Sequence, residues 1–240
     1  MSVCALCEER KPLMRSHVIP EFVYAPCYNA NFQMSGITGR GPLGRKLIQQ
    51  GIRERLLCAK CEAFLNDNYE APFKRYWFDR KPLPAQIPAQ GVTLTDIDYR
   101  PFKLFHLSVL FRCGVATSPM FSEIDLGLHR RRLRRLITNR DPGRPDQYPI
   151  FARAFINRGV AEWRIVGPPF PAQINGLDCC GVIFAGCAWF YGLSTRAPHR
   201  VLTRSLEPNG SLHIMPEQMA AFPIMQKASV ALRAKKGHSE

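Results

Sequence analysis

Two cysteine pairs, Cys4-Ala5-Leu6-Cys7 and Cys58-Ala59-Lys60-Cys61, constrain this chain more than any other feature. A C-x2-C turn places two thiolates on one edge of a tetrahedron, and two such turns complete the shell of a structural zinc ion. Fifty residues separate Cys7 from Cys58, far more than in a compact zinc ribbon. Such a site staples two distant pieces of chain and leaves an insert between them. The alternative is two unrelated pairs of buried cysteines.

Length and charge narrow the field further. A chain of 240 residues with 46% hydrophobic content holds one large domain, or a small module and a larger one. Lys and Arg number 33 against 19 Asp and Glu, for a formal charge of +14. A pI near 9.7 fits a polyanionic partner, most often nucleic acid; a generic basic surface or an acidic protein partner is the other reading. Beyond the four paired cysteines stand Cys27, Cys113, Cys179, Cys180 and Cys187, several in apolar surroundings. They read as buried free thiols in a reducing compartment. The first residues contain no signal-peptide core, and the longest apolar run, residues 179–193, falls short of the roughly 18–20 residues that span a bilayer. The expected location is the cytoplasm, with no membrane contact.

In chain order, residues 13–19 read as a short strand ended by Pro20. Residues 32–38 and 43–50 read as a hairpin around Gly39-Arg40-Gly41-Pro42, and Arg40, Arg45 and Lys46 give it phosphate-binding potential. After the second cysteine pair a helix is expected in which Glu62, Asn66 and Glu70 share a face, ending or kinking at Pro72. Residues 79–100, with Pro82, Pro84 and Pro88, read as a linker between a module of residues 1–78 and a domain of residues 101–240. Residues 101–116 predict a buried helix in which His106 and Arg112 are packed or interfacial. Residues 126–139 predict a second helix, with Leu126, Leu133, Leu136 and Ile137 as its apolar stripe and five arginines within residues 130–135. Arg130, Arg131, Arg134 and Arg135 are candidates to bind a nucleic-acid backbone, because crowded guanidinium groups need an anion or water to screen them.

The remainder reads as strands at residues 148–156, 163–166, 177–191 (one buried strand or a bent pair, with Gly181 and Gly186 as breaks), 200–206 and 211–215. The last two flank a Pro208-Asn209-Gly210 hairpin turn, and residues 219–234 read as a closing helix. The expected fold class is α+β. It comprises an N-terminal zinc-stapled treble-clef or ββα-metal module and then a domain of mixed helices and antiparallel strands.

The order Cys4-x2-Cys7, Ser16-His17-Val18-Ile19-Pro20, Leu57-Cys58-x2-Cys61-Glu62 resembles the zinc-containing HNH nucleases of the ββα-metal type, over about residues 4–70. The resemblance implies a structural zinc on Cys4, Cys7, Cys58 and Cys61, with His17 as the general base on water. It implies Glu62 as ligand of a catalytic Mg²⁺ or Mn²⁺, in the place of the family's His or Asn. Ser16 stands where the family has its metal-binding Asp, and Arg53 roughly where it has its middle Asn. Asn66 and Glu70, on the face of Glu62, are the residues able to compensate. On this reading the chain is a DNA endonuclease, in a setting such as a mobile element or phage defence. The alternative is an inactive zinc-stabilised module that binds nucleic acid or adapts other proteins. A third reading is an effector that works with a partner, and the apolar content after residue 101 leaves room for a homo-oligomer or partner interface.

Overall fold

The computed structural model describes residues 2–31, 33–36, 46–49, 51–222 and 225–226. It opens with a short ribbon of β1 (Ser2–Val3) and β2 (Arg10–Lys11), whose turn carries Cys4 and Cys7. After β3 (Leu13–His17) comes one helical turn, α1 (Glu21–Tyr24), which Pro20 starts by presetting its backbone. Next come β4 (Gln33–Gly36) and β5 (Lys46–Gln49), the two arms of the expected hairpin, antiparallel with Gln33 opposite Gln49. Arg40, Arg45 and the side chain of Lys46 lie outside the described residues. β6 (Arg53–Cys58) then returns to pair antiparallel with β3, setting His17 opposite Arg53 and Arg15 opposite Arg55.

Cys58 starts the helix that follows. α2 (Ala59–Leu65) passes into a wide π-type turn at Asn66–Glu70, then α3 (Ala71–Lys74), then a second wide turn at Arg75–Asp79. The expected stop at Pro72 is therefore not found. A proline in a regular helix drives its ring against the carbonyl four residues back. Here wide turns lie on both sides of it, and the Ala71 N–H reaches back to the Asn66 carbonyl. Prolonging the helix has a clear gain in packing. It carries Phe73 onto Phe105, stacked with centroids 3.8 Å apart, and lets Trp77 Nε1 donate to the Ala185 carbonyl at 3.0 Å.

The 79–100 stretch is more than a connection. Leu83, Leu94 and Ile97 are buried, and β7 (Val92–Leu94) is an edge strand of the large sheet. The proline content correctly signals an irregular path. The buried apolar residues between the prolines decide where that path lies.

α4 (Tyr99–Val115) is buried along nearly its whole length, as its apolar composition predicts, and α5 (His129–Thr138) packs its Leu133, Leu136 and Ile137 stripe inward. The strands β8 (Ile150–Asn157), β9 (Val160–Ala161), β10 (Phe170–Ile174), β11 (Leu177–Phe184), β12 (Cys187–Gly192) and β13 (Leu212–Gln218) follow. The sheet order is β10-β11-β12-β8-β13-β7, with β9 beside β8. The expected strand or bent pair over 177–191 is the β11–β12 hairpin, turned at Ala185 and Gly186, both with φ in the left-handed region. Gly181 is not a break: it lies inside β11, where a Cβ would stand 2.4 Å from the Phe170 ring.

Two expected strands are absent. Over 163–166, Glu162 Oε1 takes the Arg164 N–H, so that donor serves a side chain and not a ladder. Over 200–206 the amides of Val201, Leu202 and Ser205 bond back to Pro198, His199 and Leu202, which makes turns. Consequently the Asn209-Gly210 turn closes no hairpin. β13 instead runs parallel to β8, the one parallel pair of this sheet among the described residues. Of the expected closing helix, interrupted at Pro223, Met219–Ala221 forms a 3-10 turn and residues 225–226 are helical; residues 223–224 and the chain from 227 lie outside the described residues.

The architecture is thus α+β with an N-terminal cysteine cluster. One core runs from Cys4 and Leu57 through Phe73, Phe105 and Trp189 to Ile214, so the cysteine hairpin and the sheet share their interior. A smaller cluster of Phe151, Phe155, Ile183, Phe190 and Phe222 forms separately from it. Among the described residues no helix is long and apolar enough to cross a membrane.

A four-thiolate centre and a charged cluster on one hairpin

Cys4, Cys7, Cys58 and Cys61 converge, with all four Sγ atoms within 4.8 Å of one another. Cys7 and Cys58 Sγ are 3.9 Å apart. A tetrahedron with Zn–S bonds of about 2.3 Å has edges of about 3.8 Å, so the spacing suits a zinc ion and is far too long for a disulfide. The surrounding backbone favours thiolates. The Cys58 N–H donates to Cys4 Sγ at 3.3 Å. Burial opposes ionisation of Cys4, but amides of Cys7, Cys58 and Leu6 outweigh it and bring the thiol down to about 7. For Cys7 and Cys61 burial prevails and holds the thiols up, an arrangement in which a bound cation would supply the missing stabilisation. Zinc held by four thiolates has no open position, so it would staple the β1–β2 turn to the start of α2 and do no chemistry. The five other cysteines are free, and burial pushes Cys113 and Cys179 up to about 12.

At its other end, four residues along β3 from Leu13 and five along β6 from Cys58, the hairpin carries a charged cluster. His17 is half-buried and forms an ion pair with Glu21, one turn on in α1. Arg53 Nε donates to His17 Nε2 at 2.8 Å. Tyr28 donates its hydroxyl to Glu21 Oε1 at 2.7 Å. Behind the strand, Arg112 of α4 is fully buried; its Nη1 donates to the His17 carbonyl at 3.1 Å and pairs with Glu70 Oε1 at 2.8 Å. Arg112 is thus packed, as its sequence context predicts, and it ties the interior helix to the end of β3.

The other expected site residues fall differently. Ser16 is buried, and its Oγ accepts the Leu57 N–H at 3.1 Å, bridging the hairpin where its register slips. Asn66 is exposed and donates to Asp67 Oδ1. Glu62 lies in the first turn of α2, beside Cys61, and its buried Oε1 has no hydrogen-bond partner among the described residues. Glu70, two turns further on, is the carboxylate that Arg112 links to the His17 strand. Sequence reasoning missed Glu21, Tyr28 and the role of Arg53. The i, i+4 spacing of His17 and Glu21 was visible, whereas the placing of Arg53 needed the β3–β6 register.

α5 docks on the cysteine turn. Glu8, which takes a left-handed backbone just after Cys7, forms an ion pair with Arg134. Arg130 lines a cleft of about 440 Å³ with Cys4, Glu8, Glu54, Arg55 and Thr117. Arg131, Arg132, Arg134 and Arg135 line a second groove of about 520 Å³. Arg130, Arg131 and Arg135 are exposed and have no acidic partner among the described residues. Of the four α5 arginines expected to meet nucleic acid, Arg134 alone is paired with a carboxylate among the described residues. No protein-family model, no curated protein and no solved structure matches this chain.

Proposed function

We propose that the chain is a metal-dependent, HNH-like endonuclease that hydrolyses phosphodiester bonds of DNA, with a zinc-stapled treble-clef head on residues 4–70. The observation that carries this reading is the course of the cysteine hairpin. A cysteine turn leads into β3, β3 ends at His17, and β6 returns to a second cysteine turn that opens a helix. The unscreened arginines of α5 and the charge of +14 support a polyanionic substrate.

In this mechanism neutral His17 takes a proton from water as hydroxide attacks phosphorus. The bond from phosphorus to the 3′ oxygen breaks, and that oxygen takes a proton from solvent. Mg²⁺ or Mn²⁺ on Glu62, with Asn66 close by on the helix, would supply charge stabilisation at the leaving oxygen. Arg15 and Arg55, exposed and paired across the hairpin, are placed to meet phosphate charge.

A second reading, an inactive zinc-stabilised binding module, is favoured by two contacts. Ser16 is committed to the Leu57 amide, and Arg53 holds His17 Nε2. The experiment is plasmid cleavage with Mg²⁺ or Mn²⁺ by the wild type and by His17→Ala at equal zinc content. Nicking by the wild type, lost by more than about 100-fold in the variant, supports the nuclease. Equal DNA binding with no cleavage by either protein supports the binding module.

A further inference from the structure

Among the described residues, the imidazole of His17 meets two groups of opposite demand at a single atom. Arg53 Nε approaches Nε2 as a donor at 2.8 Å, which requires a lone pair on Nε2 and places the proton of the neutral ring on Nδ1. Glu21 Oε2 approaches the same Nε2 as an acceptor, which requires a proton there. Both bonds cannot be made together. Neutral His17 accepts from Arg53; protonated His17 donates to Glu21 and gives up Arg53. Arg53 loses little in that exchange, because its Nη2 is 3.9 Å from the same Glu21 oxygen. Tyr28 keeps Glu21 in place by donating to its other oxygen.

We propose that Glu21 and Arg53 are positioning residues that set the tautomer and the protonation of His17. Arg53 holds the neutral ring, Glu21 receives the protonated one, and the two arrangements differ by one proton. This role rests on the nuclease reading, in which His17 must cycle between those forms. Among the described residues, the other charged groups facing the cluster are Arg112, which grips the His17 carbonyl and not its ring, and Glu70, which Arg112 neutralises. A phosphate arriving at the hairpin would draw Arg53 to itself and leave Nε2 ready to take the proton of water.

The test is the NMR titration of the imidazole signals in the full zinc-loaded chain, for wild type, Glu21→Gln, Arg53→Gln and Tyr28→Phe. The chain has six histidines, and the His17 signal is identified by its loss in His17→Gln. A neighbouring opposite charge favours the charged form by about one to three pH units, and a like charge disfavours it similarly. His17 should therefore titrate at lower pH in Glu21→Gln and at higher pH in Arg53→Gln, with a smaller fall in Tyr28→Phe. Zinc content and backbone spectra report whether each variant folds. A general loosening of the hairpin would move Glu21→Gln and Arg53→Gln the same way, and that result overturns the proposal, as does an unmoved titration. In the cleavage profile the acid limb should follow the titration in each variant. Opposed titration shifts without cleavage by the wild type would sink the nuclease reading and leave the His17–Glu21–Arg53 unit standing.

Discussion

The cysteine hairpin and the interior behind it use the same residue types to opposite ends. At the hairpin, His17 sits between a carboxylate and a guanidinium, and amides bring Cys4 down to about 7. In the interior, His106 is fully buried against Tyr191 and Trp189, and burial drives its titration well below the ordinary range. Cys113 is pushed up to about 12, and Lys103 is brought down to about 7, both by burial. One region keeps its polar groups chargeable beside counter-charges. The other takes His106, Cys113 and Lys103 out of water and disfavours their charged forms. Chemistry near pH 7 needs groups of the first kind, which the hairpin supplies.

Removing the metal should separate the two regions most sharply. A structural zinc contributes on the order of 10 kcal/mol to the fold it closes. Chelation, or Cys58→Ser, should therefore abolish amide protection in β1, β2, β3, β6 and α2. The β8–β13 region, held by Phe73, Phe105, Trp77 and Trp189, should keep most of its own. Hydrogen exchange followed by mass spectrometry reads this directly. Equal loss throughout would mean that the shared core makes the two regions one cooperative unit.

The next effect lies at their junction. Phe73 is stacked on Phe105 and Trp77 and reaches Trp189, so Phe73→Ala leaves a cavity where the long helix meets α4 and the sheet. Truncating a buried phenylalanine costs about 3–5 kcal/mol. Denaturant unfolding should show that loss while the metal content of the four-cysteine cluster matches that of the wild type. Loss of zinc as well would mean that the helix through Pro72, and not the cysteines alone, holds the centre together.

Lys103 gives an effect of opposite sign. It is buried in α4, and its Nζ donates to the Tyr99 hydroxyl at 3.0 Å and the Arg144 carbonyl at 2.8 Å. Its folded titration lies near 7, below the ordinary 10.5 of the unfolded chain. Between those values the unfolded state binds more protons, so stability rises with pH there; below 7 both states are charged and the full burial penalty applies. Lys103→Met removes that penalty at the cost of the two hydrogen bonds. A net gain of roughly 1–3 kcal/mol is expected at pH 6, shrinking towards pH 10. Urea midpoints at the two pH values check it, and a variant destabilised at pH 6 would contradict the account.

What the sequence disclosed follows the range of the forces involved. The four-cysteine cluster was legible because C-x2-C is a local device whose geometry its spacing states outright. α4 was legible because it is apolar on most sides, and α5 because Leu133, Leu136 and Ile137 recur at helical period. The helix through Pro72 was not, because its length is decided by where Phe73 and Trp77 pack, more than 30 residues from Phe105 and more than 100 from Ala185. The parallel β8–β13 pair was hidden for the same reason: Asn209-Gly210 signals a turn but not which strand it serves. At the candidate site His17 stood out by its context, while the Arg53 contact depends on a register across 36 residues.

The smallest effect concerns arginines, where the two regions again differ. Arg112 is buried and matched by Glu70 and a carbonyl, so it belongs to the fold. Arg131 and Arg135 line the α5 groove with no acidic partner among the described residues, and they stabilise nothing that the interior needs. Replacing both by Gln should leave the unfolding midpoint unchanged within about 0.5 kcal/mol. If they touch phosphates, each contact contributes about 0.9 to the slope of log affinity against log salt for duplex DNA. The double variant should then lower that slope by about 1.8. The same change at Arg134 should do less, because Glu8 already neutralises it. An unchanged slope would remove α5 from the DNA path and leave Arg15 and Arg55 of the hairpin to carry the contact, bringing nucleic-acid binding and the His17 cluster onto one element.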